Sequence, residues 1–320
     1  MIHTTACAVL GIDHPVVQAG MSREYTGADL VAAVSAAGGL GILGCLGRSA
    51  EAAVTEIRRI RSLTDRPFAA GFVLHLLDEA AFAACLAERV PIFQFFRGDP
   101  EQAVARAQAA GALTIYQVTT VAEAAHACDV GVDVLIAQGM EAGGHMGPTP
   151  LLALLPEVLR VAGDRPVLAA GGLVDGRDLA AMLCLGASGV VMGTRFLATP
   201  ESPARAAHKQ ALLTAGTGAT VASGIFDILW GRDWPGVQAR ALRNDLTARW
   251  VGHEADLHAH LDATRARIAF AEATGDPSEM ICLAGTGVSR IATLLPAAQI
   301  VHDTVMEATR VLRDWGARLP

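Results

Sequence analysis

Over the first two hundred residues, short apolar runs alternate with longer alanine-rich segments whose apolar positions recur at helical spacing. The runs fall at 15–18, 40–43, 68–73, 90–95, 113–118, 134–137, 167–170 and 190–192. Each has the length and composition of a strand buried on both faces. Between them lie amphipathic stretches near 28–37, 49–62, 78–88, 99–110, 120–129, 150–161, 175–185 and 202–214, several opened by a capping Asp, Ser or Thr. Eight such units predict an α/β fold, a parallel (β/α)8 TIM barrel, with a doubly wound open sheet as the alternative. The period of about 25 residues carries no self-similarity, so it marks a supersecondary rhythm and not a solenoid.

After Leu213 the rhythm breaks. Residues 214–248 are rich in glycine and carry Trp230, Trp234 and Pro235, and 251–273 reads as one long polar helix. A short apolar run at 280–286 leads into Gly285-Thr-Gly287. The stretch 296–315 is an amphipathic helix with Ile300, Val301, Val305, Ala308 and Leu312 on one side, expected to pack back on the barrel. The expected organisation is a barrel from 1–213 plus 281–320, with 214–280 as a helical insertion. That insertion suits a lid or a contact with a second copy of the chain, and the sequence leaves both open.

Composition narrows the chemistry. The chain has 320 residues, 52% hydrophobic and 18% charged, with a formal net charge of -7. No basic run accompanies that charge, which argues against a nucleic-acid partner. The six cysteines form no CxxC pair and no zinc spacing, as expected of a reduced cytoplasmic protein. No secretory leader pattern opens the chain, and no apolar run is long enough to span a bilayer, so no membrane role is expected. Lys209 is the single lysine and lies in a polar helical stretch, which argues against Schiff-base chemistry, and no P-loop occurs.

Three glycine-rich segments remain. Gly39-Leu-Gly-Ile-Leu-Gly44 has GxGxxG spacing, yet a helical stretch precedes it and it contains a strand, the reverse of a dinucleotide fingerprint. Gly171 and Gly172 follow the seventh run, and Met192-Gly193-Thr194-Arg195 ends the eighth. In barrels these two turns form the usual phosphate site, through backbone N–H groups and a helix start. The richest segment, residues 137–147, follows the sixth run and places His145 directly after Gly143-Gly144. On residues alone this is a flexible loop whose histidine is either structural or an acid/base group over the barrel mouth. His253, His258 and His260 lack metal-pair spacing, and no metal site is expected.

Taken together, PVVQAGMS (15–22), AAGGLGILG (36–44), GVDVLIAQGMEAGGHMG (131–147), the segment 166–202 and PAAQIVHDTV (296–305) resemble the nitronate monooxygenase, or 2-nitropropane dioxygenase, family over nearly the whole chain. The resemblance implies an FMN-binding barrel that oxidises alkyl nitronates with O2 to a carbonyl compound and nitrite. It implies that Gly20 and Met21 lie beside the flavin ring, with Gln138 and Gly143 contacting it from the strand-six loop. Gly171, Gly172, Met192, Gly193 and Thr194 would hold the ribityl chain and phosphate, with Arg195 as a further counter-charge, and His145 would be the active-site histidine. FMN-dependent NAD(P)H reduction of an enone, enoyl thioester or quinone belongs to the same superfamily and is the alternative; a flavin-free binding protein is the non-enzyme one. Two departures stand out. Gly71 replaces an asparagine common at the third strand, with His75 the expected substitute, and Met146 replaces an arginine, which would make the pocket mouth less positive.

Overall fold

A computed structural model describes residues 2–232, 234 and 237–318. Its strands are β1 (Val16–Gln18), β2 (Gly41–Gly44), β3 (Phe68–Val73), β4 (Ile92–Phe96), β5 (Leu113–Val118), β6 (Val134–Gln138), β7 (Gly144–Met146), β8 (Val167–Ala170), β9 (Val190–Met192), β10 (Thr220–Ser223) and β11 (Gln238–Leu242). Eight of them pair in parallel in the order β1-β9-β8-β6-β5-β4-β3-β2. The sheet closes where Leu40 N–H donates to Val16 O at 3.0 Å and Gln18 N–H donates to Leu40 O at 2.9 Å. This is the TIM barrel that the eight apolar runs predict.

Alternation along each strand sorts the side chains into two cores. Val17, Ile42, Ala69, Ile92, Ile115, Val134, Leu168 and Val191 fill the barrel interior. Val16, Phe72, Phe93, Phe95, Leu135, Ala169, Val190 and Met192 face the surrounding helices. The N-terminal ends of the strands are plugged by the helix Thr5–Leu10, which adds Ala6, Cys7 and Leu10 to the inner core. Thr4 caps it and donates its hydroxyl to Ser188 O at 2.6 Å, just ahead of β9.

The eighth place in the outer ring differs from the sequence expectation. The stretch 202–214 forms the helix Ala206–Thr214, but its buried His208 and Leu212 pack toward residues 280–291. The terminal helix Ala297–Gly316 instead lies against the helices Gly176–Cys184 and Ala28–Ala36 and so completes the ring. Burial decides this: Ile300, Val301, Thr304, Val305 and Ala308 form one continuous buried stripe. Gly176 allows the contact, because a Cβ there would stand 2.6 Å from Ala308 N.

The insertion is a second small layer, an antiparallel sheet of order β10-β11-β7 carrying the helices Ile225–Trp230, Asp245–Trp250, Glu254–Ala259 and Leu261–Thr274. Pro235 lies outside the described residues. The single helix expected over 251–273 is two, broken at His260. The His260 ring takes the Asp256 carbonyl at 2.9 Å, the acceptor its own N–H would use in a continuing helix, and that N–H bonds Leu257 O instead. Arg249 of the helix Asp245–Trp250 and Arg267 of Leu261–Thr274 then converge on Glu279, tying those two helices to the chain that returns to the barrel.

Candidate active site

At the carboxyl ends of the barrel strands the inward-facing positions change from apolar to glutamine and glycine. Gly71, Gln94, Gln117 and Gln138 share the inward register of β3 to β6, and with Gly20, Met21, Gly143, His145, Gly171, Gly172, Gly193 and Thr194 they line a cavity of about 960 Å3. That volume is near the upper end for ligand pockets and accommodates a cofactor together with a substrate. Gln94 and Gln117 were hidden in the sequence inside apolar runs; Gln94 pairs with Ile115 and Gln117 with Phe96, so their signal is only a polar residue at an inward position of adjacent strands. Gln94 also accounts for the glycine at 71. Its Oε1 lies 2.9 Å from where a Cβ on Gly71 would be and 2.8 Å from one on Gly20. The polar group at this point thus comes from β4, not from His75, which does not line the cavity and donates its backbone N–H to Arg97 O.

The glycine turns make a polar cradle on the opposite wall. Gly171 and Gly172 have φ of 119° and 69°, a left-handed path that leaves backbone amides pointing outward. The N–H groups of Gly172, Gly193 and Thr194 donate to no acceptor among the described residues. Residues 284–287 close over this wall: Gly285 N–H donates to Thr194 Oγ1 at 3.0 Å, Thr286 N–H donates to Glu141 O at 2.9 Å, and a Cβ on Gly143 would stand 2.6 Å from Gly285 N. Glu141 secures the loop by accepting Leu151 N–H at 3.0 Å. Two expected members point elsewhere. The Met192 side chain is in the outer core, and only its carbonyl reaches this end, accepting Ala19 N–H at 3.0 Å. Arg195 is buried with its guanidinium on Ala198 O and Thr293 O, whereas Arg290 donates Nη2 to Gly172 O at 3.1 Å.

His145 is not on a flexible loop. It occupies the centre of β7, paired with Ala239 of β11, so the insertion holds it. Its Nε2 is 2.8 Å from Asp227 Oδ1, and side-chain exposures of 12% and 6% make this a desolvated pair. The ring meets Trp234 edge-on at 4.2 Å between centroids and Trp230 at 5.7 Å. Asp227 and both tryptophans come from the insertion. Nothing in the sequence tied Asp227, 82 residues away, to the histidine. Gln138 steadies the strand by donating Nε2 to His145 O at 3.2 Å, while its buried Oε1 has no donor.

Arg23, Arg48, Arg205, Arg232 and Arg265 line the cavity with Glu24 and Glu272, and Arg23 is paired with Glu24 and Arg205 with Glu272. Arg48 is bound internally to Gly44 O, Thr26 O and Glu56, whereas Arg232 lies over the Trp230 ring at 4.8 Å. Met146 does not bear on this balance. Alternation along β7 turns it away from the cavity, where its Sδ is 3.6 Å from Arg240 Nη2. No metal-binding group of His, Cys, Asp and Glu occurs among the described residues, and none of their helices is long and apolar enough to cross a membrane.

Comparisons with known proteins bear on this architecture. The family profile described as nitronate monooxygenase matches residues 3–84 and 78–307. A Mycobacterium tuberculosis protein named (3aS,4S,5R,7aS)-5-hydroxy-7a-methyl-1-oxo-octahydro-1H-indene-4-carboxyl-CoA dehydrogenase is 39% identical over 78% of this chain and 68% of its own. The nitronate monooxygenase of Pseudomonas aeruginosa is 35% identical over 93% of this chain and 97% of its own. Among solved structures, FabK from Thermotoga maritima superposes with a TM-score of 0.90 at 29% identity, with both chains fully covered.

Proposed function

Since the chain belongs to the nitronate monooxygenase family, we propose that this oxidoreductase holds FMN in the glycine-lined end of its cavity and oxidises alkyl nitronates with O2 to a carbonyl compound and nitrite. The observation that carries this reading is the wall-to-wall arrangement of the cavity, with free amides at one side and a desolvated imidazole at the other. The chain's own residues fit the cofactor. Gly172, Gly193 and Thr194 present N–H groups suited to a phosphate, and the orphaned Oε1 of Gln138 suits a ring N–H. When bound, FMN supplies the electron transfer between substrate and O2.

His145 handles the proton. With a neutral nitroalkane, the imidazole takes the proton from the α-carbon, and the C–H electron pair becomes the C=N bond of the nitronate. The nitro oxygens then carry the negative charge, which the arginines at the mouth attract. Trp230 and Trp234 pack against the imidazole, and Trp230, which lines the cavity, offers an apolar face for the alkyl group.

The M. tuberculosis relative, named as a CoA-ester dehydrogenase, favours a second reading: oxidation or NAD(P)H-dependent reduction of a thioester, enone or quinone in the same cavity. The arginine-rich mouth also suits a phosphorylated substrate tail. One experiment separates the two. Oxidised, flavin-loaded enzyme is mixed anaerobically with propionate 3-nitronate and, separately, with NADH and NADPH, and the flavin absorbance is followed. Rapid bleaching by the nitronate is the expected result. Bleaching by the nicotinamide alone would reverse the assignment.

A further inference from the structure

We infer that Asp227 is the positioning residue of this site, holding His145 in the Nε2–H tautomer so that Nδ1 is the atom that meets the substrate. The inference rests on the proton-transfer role given to His145 above and adds to it the partner that makes the role work. A neutral imidazole has one protonated nitrogen, and which one is set by the bond the other makes. Here the Nε2–H donates to Asp227 Oδ1 at 2.8 Å, while Nδ1 has no partner among the described residues and the residue lines the cavity.

The carboxylate is delivered rigidly. Asp227 lies in the first turn of the helix Ile225–Trp230, whose Ile225, Phe226 and Leu229 are buried in the insertion core with Ala239 and Ala241 of β11. Because that helix packs on β11 and β11 pairs with β7, the β7–β11 ladder and the His145–Asp227 bond tie β7 to the same small layer at two points. The second oxygen, Oδ2, is buried without a donor, so the carboxylate's strongest option is the imidazole. When Nδ1 accepts the substrate's α-proton, the imidazolium keeps its Nε2–H on Asp227 and its new charge faces a carboxylate. No charge is left unpaired in a dry site.

Other charged groups reach this pair. Arg97 follows β4, donates Nη2 to Met146 O at 2.8 Å and acts electrostatically on Asp227, as does Arg232 after the helix; Glu24 acts on Arg232 from the β1 side. Asp227 thus stands toward two guanidinium groups as well as toward the imidazole.

The test compares Asp227→Asn, Asp227→Glu and His145→Ala, all loaded with flavin, on a neutral nitroalkane and on its preformed nitronate. Asp227→Asn should lose about 10²-fold in kcat/KM on the nitroalkane and far less on the nitronate. A merely structural loss would lower both substrates alike, and Asp227→Glu should recover part of the nitroalkane loss. Independently of turnover, the ¹⁵N resonances of the His145 ring, assigned by their loss in His145→Ala, should report one fixed tautomer in the wild type and a tautomer average in Asp227→Asn. An unchanged tautomer in Asp227→Asn, with equal losses on nitroalkane and nitronate, would overturn the inference even if the variant were less stable. Equal losses on nitroalkane and nitronate in His145→Ala would instead remove the base role itself, while the tautomer measurement would still decide whether Asp227 positions the ring.

Discussion

Single glycines and glutamines shape the cavity. Gly193 is the clean point at which to test the cradle, because a Cβ there meets nothing closer than 3.7 Å and its φ is ordinary. Gly193→Val should therefore fold with stability within about 1 kcal/mol of the wild type, yet project a side chain into the space a phosphate needs. The expected outcome is a colourless protein of normal circular dichroism that fails to bind added FMN in a fluorescence titration; undiminished flavin binding would place the phosphate elsewhere. Gly172→Val is a poorer probe. A φ of 69° is strained for valine by about 1–3 kcal/mol, and the new Cβ would lie 2.7 Å from Thr286 Oγ1. The sequence pointed to these glycines because two turns at neighbouring strand ends repeat one pattern. It could not point to Asp227, whose segment Ile225-Phe-Asp-Ile-Leu-Trp230 reads as an apolar run with one acid, and whose importance arises only when β11 brings it to β7.

At the scale of elements, the strands were legible and their company was not. A buried parallel strand must be a short apolar run, so all eight barrel strands stood out, and most boundaries moved by no more than two residues. The small sheet stayed hidden because β7 is Gly-His-Met and β11 is Gln-Ala-Arg-Ala-Leu, neither with a strand's composition; their pairing is a tertiary fact. The helix Ala206–Thr214 was legible as a helix but not as a member of the insertion. Its attachment gives a prediction. His208 is buried with Nε2 on Leu283 O at 3.1 Å, and burial pulls its pKa from 6.5 down to about 4. Between these values the unfolded chain binds a proton that the folded chain refuses, so stability is full above about pH 6.5 and falls as the pH drops toward 4. The lost stabilisation amounts to about 3 kcal/mol. His208→Gln keeps a donor for Leu283 O and removes the titration. Its denaturant-derived stability should decline less steeply than the wild type's from pH 6.5 to 4, and parallel curves would show that the imidazole does not titrate in this way.

For the whole molecule, the site makes barrel and insertion one cooperative unit. The cavity wall runs from Gly20 and Gly172 on the barrel to Trp230 and Arg265 on the insertion, and β7 belongs to both by chain and by pairing. A lid joined only at its ends would leave His145 in place when it opened. Here opening removes Asp227 from the histidine and breaks the β7–β11 ladder, at the cost of two buried polar groups losing their partners. If the proposed flavin binds in this cavity, it should stabilise both layers together. At a hundred times its dissociation constant it adds about 2.7 kcal/mol. Against an unfolding entropy of about 0.7 kcal/mol/K for a chain of 320 residues, this raises the melting temperature by about 4 °C. Calorimetry of flavin-loaded and flavin-stripped protein should therefore show one transition in each, displaced as a whole. Two transitions, with only the upper one responding to flavin, would mean that the insertion folds and opens independently of the barrel. The histidine would then be held by β7 alone, and the coupling of its partner Asp227 to the barrel would fail with the single transition.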